Sequence, residues 1–282
     1  MLSLGKMFRP STSIVYPPFK KGMYMEEYYY DYYTKNEIKS DRIYIPIFWT
    51  NIQTHPGFST QKKNYELLLS SIMANMPPNT KYYTIVQHDD GPLLKMNGDV
   101  LIFGACTGHI PLPLIYEDTT NTLINTTRRT KKYLASFIGT NTHKVRKALC
   151  NNTNPDIFIA TQDTWSSEVP QSLSDLFIEK TLESKFCLAP RGYGRSSFRF
   201  FEAMLLDTIP VYFWDDVEWL PYKDILDYST FSISIQEKDI HNTYKILRSI
   251  SNETYISMVK ELKKVQHYFT LKGMSEYIST KF

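Results

Sequence analysis

One stretch, Ser184 to Pro221 (SKFCLAPRGYGRSSFRFFEAMLLDTIPVYFWDDVEWLP), constrains the fold of this chain more than any other. It opens with a short apolar run, Phe186-Cys187-Leu188-Ala189, which reads as a buried strand. Pro190 stops the run, and Gly192 and Gly194 give the following residues unusual backbone freedom. Ser196 and Ser197 are good N-cap residues, and Phe198 to Leu206 carries apolar groups at helical spacing. After Asp207, Ile209-Pro210-Val211-Tyr212-Phe213 reads as a second strand. Strand, loop, helix, strand is the repeating unit of a parallel α/β layer, because parallel strands need a crossover.

Ligands of open α/β sheets sit beyond the carboxyl ends of the strands, where the loop between Ala189 and Ser197 must lie. That loop holds Arg191, Gly192, Tyr193 and Arg195, and it runs into a helix N-terminus with free N–H groups and a partial positive charge. Together these suit a phosphate or pyrophosphate. On the helix, Ser196, Arg199 and Glu202 are three residues apart and share one face. An Arg one turn before a Glu is by itself a surface pair worth about 0.3–0.5 kcal/mol. With two hydroxyls, two loop arginines and a cap in front of it, the pair reads instead as part of a nucleotide-diphosphate site. The set is Arg191, Gly192, Tyr193, Arg195, Ser196, Ser197, Arg199 and Glu202, with Glu202 accepting hydrogen bonds from the ribose hydroxyls.

Three segments resemble the signature of the exostosin family, glycosyltransferase family 47: Ser184 to Gly192, Ser197 to Ala203, and Ile209-Pro210-Val211 with Leu220-Pro221. The similarity runs on through Tyr222 to Tyr228 and the strand-like Phe231 to Ile235. The resemblance implies an α/β fold of the GT-B class, two Rossmann-like domains facing a cleft, with the nucleotide sugar held mainly by the second. It also implies inversion at the anomeric centre, a UDP-sugar donor, an oligosaccharide or glycoprotein glycan as acceptor, and no metal or other cofactor. Relatives use several sugars, and UDP-xylose is the expected donor, with UDP-glucuronate and UDP-galactose next.

The 282 residues suffice for two domains with separate cores. With 42% hydrophobic and 22% charged residues the composition is that of a soluble globular protein, and a net charge of +3 gives no reason to expect nucleic acid or an anionic membrane. No apolar window is long enough for a transmembrane helix, and Met1 to Pro10 lacks the apolar core of a signal peptide. A soluble cytoplasmic enzyme of bacterial or viral origin is expected, whereas eukaryotic relatives are usually tethered in the secretory pathway. Cys106, Cys150 and Cys187 make no disulfide framework or metal cluster.

Residues 1 to 40 read as a loosely structured, Tyr-rich lead-in, and Asp41 to Trp49 as a first strand followed by a loop holding His55. A helix from Ser59 or Thr60 to about Asn75, strands at Lys81–Gln87 and Asp99–Phe103, and a basic, solvated segment over Thr119–Lys132 follow. Tyr133 to Ile138 and Lys144-Val145-Arg146 resemble the segment that begins the family's second domain. The expected domains are 1–130 for the acceptor, 131–252 for the nucleotide sugar, and a C-terminal helix within 253–282 that crosses back to the first domain.

An inverting transfer needs a base on the acceptor hydroxyl, expected from the first domain. His88-Asp89-Asp90-Gly91 follows a strand and resembles the family's HD-x-G segment, so Asp89 is the first choice, then Asp90, with His88 beside them. The same tetrapeptide is also an ordinary turn. His55 and His109 are weaker candidates. Asp89-Asp90 and Asp215-Asp216 are poor chelators, because adjacent residues on an extended chain point opposite ways. A non-catalytic lectin-like or UDP-binding module on the same fold is the alternative.

Overall fold

The computed structural model describes residues 23–116, 122–152, 154–164, 166 and 169–282. Most of the expected lead-in (1–22) and the start of the basic segment (119–121) lie outside these residues. The chain forms two compact units, one of residues 1–112 with Leu271–Phe282, the other Pro113–Thr270.

The first unit begins with α1 (Met25–Lys35). A loose lead-in was expected here, but Glu26 and Glu27 in the first turn and Lys35 in the last complement the helix dipole. The tyrosines supply the packing that propensity lacks. The Tyr29 hydroxyl lies 2.9 Å from that of Tyr83, and its ring meets Tyr44 edge-on at 5.2 Å. Edge-on pairs of this kind contribute about 0.5–1.5 kcal/mol each beyond the area they bury.

The strand expected over Asp41–Trp49 is cut to β1 (Ile43–Tyr44). Ile45 still donates to the Tyr83 carbonyl at 2.8 Å, but Pro46 has no N–H with which to extend the ladder. Trp49 then opens α2 (Trp49–Thr54), where a loop was expected, and its indole N–H donates to the buried Thr84 hydroxyl at 2.8 Å. Next come α3 (Phe58–Ala74), β2 (Lys81–Val86), β3 (Asp99–Gly104) and β4 (Ile110–Pro111). The four strands are parallel in the order β1-β2-β3-β4, and Leu69 and Met73 of α3 pack into the core beside Tyr82 and Val86.

The second unit holds β5 (Tyr133–Thr140), α4 (Lys144–Asn151), β6 (Ile157–Gln162), α5 (Gln171–Leu182), β7 (Ser184–Pro190), α6 (Phe198–Leu205), β8 (Ile209–Trp214), β9 (Ile233–Gln236), α7 (Thr243–Arg248) and α8 (Asn252–Val265). Its five strands are parallel in the order β6-β5-β7-β8-β9. This is the doubly wound order in which the second strand lies outside the first and the rest run the other way. The unit begins at Pro113, against the expected 131, because the connecting segment packs into its core: Leu123 is buried with Ile138, Phe177 and Leu206.

Of the expected C-terminal piece 253–282, α8 stays with the second unit beside β8. The chain joins the first unit from Leu271 as α9 (Leu271–Ser279), which packs on α1, and the Phe282 ring lies 4.3 Å from that of Tyr83. Two parallel α/β units with the last helix returned to the first are the elements of a GT-B chain.

Glu26 is fully buried beneath α1, where Oε1 accepts from Thr50 N, Thr50 Oγ1 and Gln87 N at 2.8–3.1 Å and Oε2 has no partner. Burial pushes its carboxyl above the ordinary 4.5, against the opposing bonds from Gln87 and Thr50. Between that value and the raised native one the folded state holds a proton that the unfolded chain has lost, so stability falls as pH rises through this window. Glu26→Gln keeps the acceptor and removes the buried charge. The variant is expected to be more stable than wild type to urea at neutral pH, with the gain vanishing below the ordinary Glu range; equal stability at both pH values would show that the site accommodates the anion.

Candidate functional site

In the doubly wound order of the second unit, β5 and β7 are neighbours whose crossovers lead in opposite directions. The crevice at the carboxyl ends of such a pair is where open α/β sheets bind ligands. Arg146, from the first turn of α4, ties the two ends together. Its guanidinium donates to the carbonyls of Thr140 (2.8 Å), Arg191 (3.0 Å) and Pro190 (3.3 Å). Gly192 lies against the same guanidinium: a Cβ there would stand 3.1 Å from Arg146 Nη2. The sequence marked Arg146 only as part of the segment that resembles the start of the family's second domain.

Arg191 is buried, and each of its three guanidinium nitrogens is engaged. Nη1 bonds Asp215 (2.6 Å) and Asp216 (2.8 Å), Nη2 bonds the Tyr193 carbonyl (2.9 Å) and Nε the Gly192 carbonyl (3.4 Å). The residue therefore shapes the loop around itself. Arg195 differs. Its Nε bonds Asp216 at 2.7 Å, while no described residue takes Nη1 or Nη2, and its side chain is 31% exposed. Tyr193 projects its ring outward at 65% exposure.

Lys144 adds a third cation, 3.3 Å from Asp215 and 2.7 Å from Glu237. Burial pushes the Asp215 carboxyl up, but the bond and charge of Arg191, with Lys144, outweigh it and hold the group at about 2. His143, the N-cap of α4, is held neutral, first by burial and then by the Arg191 charge. Its Nδ1 accepts from Val145 N, which leaves the proton on Nε2, 3.8 Å from Asp215. Sequence reasoning missed His143 and Lys144 as parts of the site, and weighed Asp215 and Asp216 as metal chelators.

α6 starts beside this loop. Ser196 and Ser197 are both buried, and Ser197 Oγ, at the N-cap, has no hydrogen-bond partner among the described residues. A buried hydroxyl without a partner is costly, by about 1–3 kcal/mol. An acceptor placed at the helix N-terminus would relieve that cost and use the free N–H groups as well.

Arg199 and Glu202 do share a helix face, but each is already occupied. Arg199 pairs with Glu202, donates from Nε to the Ile138 carbonyl at 3.0 Å and lies 4.0 Å above the Phe177 ring. The other Glu202 oxygen accepts from the Tyr116 hydroxyl at 2.8 Å. A ribose reaching Glu202 would have to exchange with Tyr116, a residue with no signal in the sequence.

In the first unit, His88-Asp89-Asp90-Gly91 sits at the carboxyl end of β2. Gly91 N donates to the His88 carbonyl at 3.0 Å, Asp90 N donates to His88 Nδ1 at 3.2 Å, and Gly91 takes the left-handed φ of +72° that closes the turn. Gln53 of α2 grips the turn, donating to the Gly91 carbonyl at 2.9 Å and accepting from Leu93 N at 2.7 Å. Asp89 Oδ1 accepts from the buried Cys106 thiol at 3.0 Å, while Asp90 is exposed. Burial pushes the His88 imidazole down, against the charges of Asp89 and Asp90. His55 and His109 hold local turns, accepting from Gly57 N and Ile102 N. Among the described residues, no group of three or more His, Cys, Asp or Glu side chains is placed to hold a metal ion, and no helix is long and apolar enough to cross a membrane.

Residues 106–250, just over half of the chain, match the exostosin GT47 domain. A probable glycosyltransferase of Arabidopsis thaliana is 30% identical over 138 residues, covering 48% of this chain and 27% of its own length. A probable glucuronosyltransferase of Physcomitrium patens is 24% identical over 281 residues, covering 81% of this chain and 60% of its own. The chain thus spans less than two thirds of the length of either relative. Among solved structures, TarM aligns over 73% of this chain and 51% of its own with a TM-score of 0.40 and 10% identity. The matched residues contain the whole switch-point loop together with α4, α6 and the β8 end, and by this match the chain belongs to the exostosin glycosyltransferase family 47.

Proposed function

We propose that this protein is an inverting glycosyltransferase that moves a sugar from a UDP-sugar to a hydroxyl of a glycan acceptor. The observation that carries the reading is the buried Ser197 hydroxyl at the start of α6, without a hydrogen-bond partner among the described residues, on the same loop-to-helix segment as Arg195, whose guanidinium bonds Asp216 through Nε alone. A diphosphate seated there would accept from Ser197 Oγ, from the N–H groups of the first helical turn and from Arg195 Nη1 and Nη2, with Lys144 nearby. The planar fork of Arg195 suits paired phosphate oxygens. Arg191 acts one step back, holding Asp215 and Asp216 so that Arg195 is oriented while its outer edge stays open.

The same groups stabilise the departing UDP, because they are aimed at the charge that grows as the glycosidic bond to phosphate breaks. Since fixed side-chain cations and a helix end supply this positive charge, the reaction is proposed to run without a metal. Asp89 is proposed as the base, taking the acceptor proton on one carboxylate oxygen while the Cys106 thiol holds Oδ1. UDP-xylose is the first donor to test, with UDP-glucuronate next, given the probable glucuronosyltransferase among the relatives.

Arg195→Ala is expected to weaken UDP binding by roughly 10- to 100-fold, the loss of charge-assisted hydrogen bonds, with an unchanged melting temperature. Arg191→Ala is expected to lower stability as well, by about 3 kcal/mol, because the poorly exposed Asp215 loses its nearest cation and keeps only the more exposed Lys144. Wild-type UDP affinity in Arg195→Ala, measured by calorimetry, would refute this placement of the phosphates. Asp89→Asn should cut acceptor-dependent UDP release by about 10²- to 10⁴-fold and leave the UDP dissociation constant alone; normal turnover would remove Asp89 as the base. Transfer should persist in EDTA, and a strict requirement for added Mn²⁺ or Mg²⁺ would overturn the metal-free reading.

A further inference from the structure

The basic segment before β5 reads in sequence as solvated charge, yet Lys131 turns inward. Its ammonium donates to the Leu182 carbonyl at 2.9 Å and lies 3.5 Å from Thr208 Oγ1. Lys131, Leu182 and Thr208 immediately precede β5, β7 and β8, so they mark the amino edge of the sheet, opposite the edge that carries Arg191 and Ser197. A cavity of about 290 Å³ opens at this edge. Leu206 of the α6 turn and Ile256 and Val259 of α8 give it apolar walls, and Ile256 is 58% exposed there.

The polar groups of the cavity carry an excess of positive charge. Asp207, held at a left-handed φ of +52°, is its one lining carboxylate among the described residues, and it is saturated. Gln266 donates to Oδ1 at 3.0 Å, while Arg128 and Lys263 take Oδ2. Arg129, also on the rim, stands 3.8 Å from Glu179 and Glu183. Lys131 has no carboxylate at ion-pair distance among the described residues. Burial pushes its ammonium down to about 8, and the Asp207 charge offsets this only in part. Tyr255 lines the same cavity, and burial pushes its hydroxyl up, against the charge of Arg128.

We infer that this cavity binds a small organic oxyanion, a phosphate or carboxylate carried on an apolar body, gripped by Lys131, Arg128 and Tyr255 with its body against Leu206, Ile256 and Val259. An anion beside Lys131 supplies the counter-charge that the buried ammonium lacks, and the apolar body covers Ile256. Cavities with apolar walls and a few convergent polar groups are the usual form of small-molecule sites. The donors lie at the amino edge of the sheet, so the site is separate from the proposed nucleotide site and does not depend on it.

The test is trace acetylation of the intact protein with acetic anhydride, read lysine by lysine by mass spectrometry, in the presence of phenyl phosphate, benzoate or inorganic phosphate. At ten times its dissociation constant, phenyl phosphate is expected to slow labelling of Lys131 about tenfold, while exposed Lys63 labels at its free rate. Benzoate protecting better than phenyl phosphate would assign the site to carboxylates, and the reverse to phosphates; either supports the inference. Arg128→Gln should weaken the protection at least about tenfold. Lys131→Met should abolish the melting shift that phenyl phosphate gives in Arg195→Ala, a background in which the proposed nucleotide site is impaired. Lys131 left unprotected by both phenyl phosphate and benzoate at saturating millimolar concentration, full protection surviving in Arg128→Gln, or inorganic phosphate protecting as well as the better of the two would each overturn it.

Discussion

Three carbonyls at the ends of two parallel strands, those of Thr140, Pro190 and Arg191, converge on one guanidinium, that of Arg146. Carbonyls at the ends of strands retain lone pairs that can accept further hydrogen bonds. By taking all three, Arg146 sets how far apart the ends of β5 and β7 lie and where the chain leaves the sheet after Pro190. Gly192 suits that contact, because a Cβ there would crowd the guanidinium at 3.1 Å. So does the course of the loop that brings Arg191 to Asp215 and Asp216.

The arginines of the switch-point loop divide their work. Arg191 engages all three guanidinium nitrogens with the protein and orders Asp215 and Asp216; Arg195 engages one and keeps its outer edge. The carboxylates keep the cations from repelling one another and lock their directions in advance. A polar site arranged beforehand loses little in reorganisation when charge develops, which is what a departing diphosphate requires. The buried Ser197 hydroxyl and the neutral His143 belong to the same economy of direction over net charge.

The two edges of the second sheet have different chemistry for a topological reason. At the carboxyl edge the N-termini of α4 and α6 arrive, with the positive ends of their dipoles. At the amino edge the turns that lead into the strands arrive, bringing Asp207, Lys131 and the end of α8 together. Tyr116 and Leu123, in the segment that leads to β5, belong to this unit as well, through Glu202 and the core around Ile138. That is why the unit begins well before the first strand.

Much of this was legible in the residues. The βαβ unit from Ser184 to Phe213, the helix start at Ser197, the strand before His88 and the strand beginning at Tyr133 all rest on local signals: apolar runs, caps, and Pro and Gly punctuation. These depend on neighbours a few positions away, so the amino-acid order alone determined two parallel α/β layers and a cationic loop running into a helix. What it could not decide was which partner each charged group would meet. Arg191 and Arg195 look alike in the chain, and only the approach of the β8 end, with Asp215 and Asp216, makes one a scaffold and the other an open hand. Glu26, Tyr116 and Lys131 sit in stretches with no motif, and their burial comes from residues tens of positions away. Pairing between distant side chains is a property of the folded surface on which they converge, and tertiary structure alone sets that convergence.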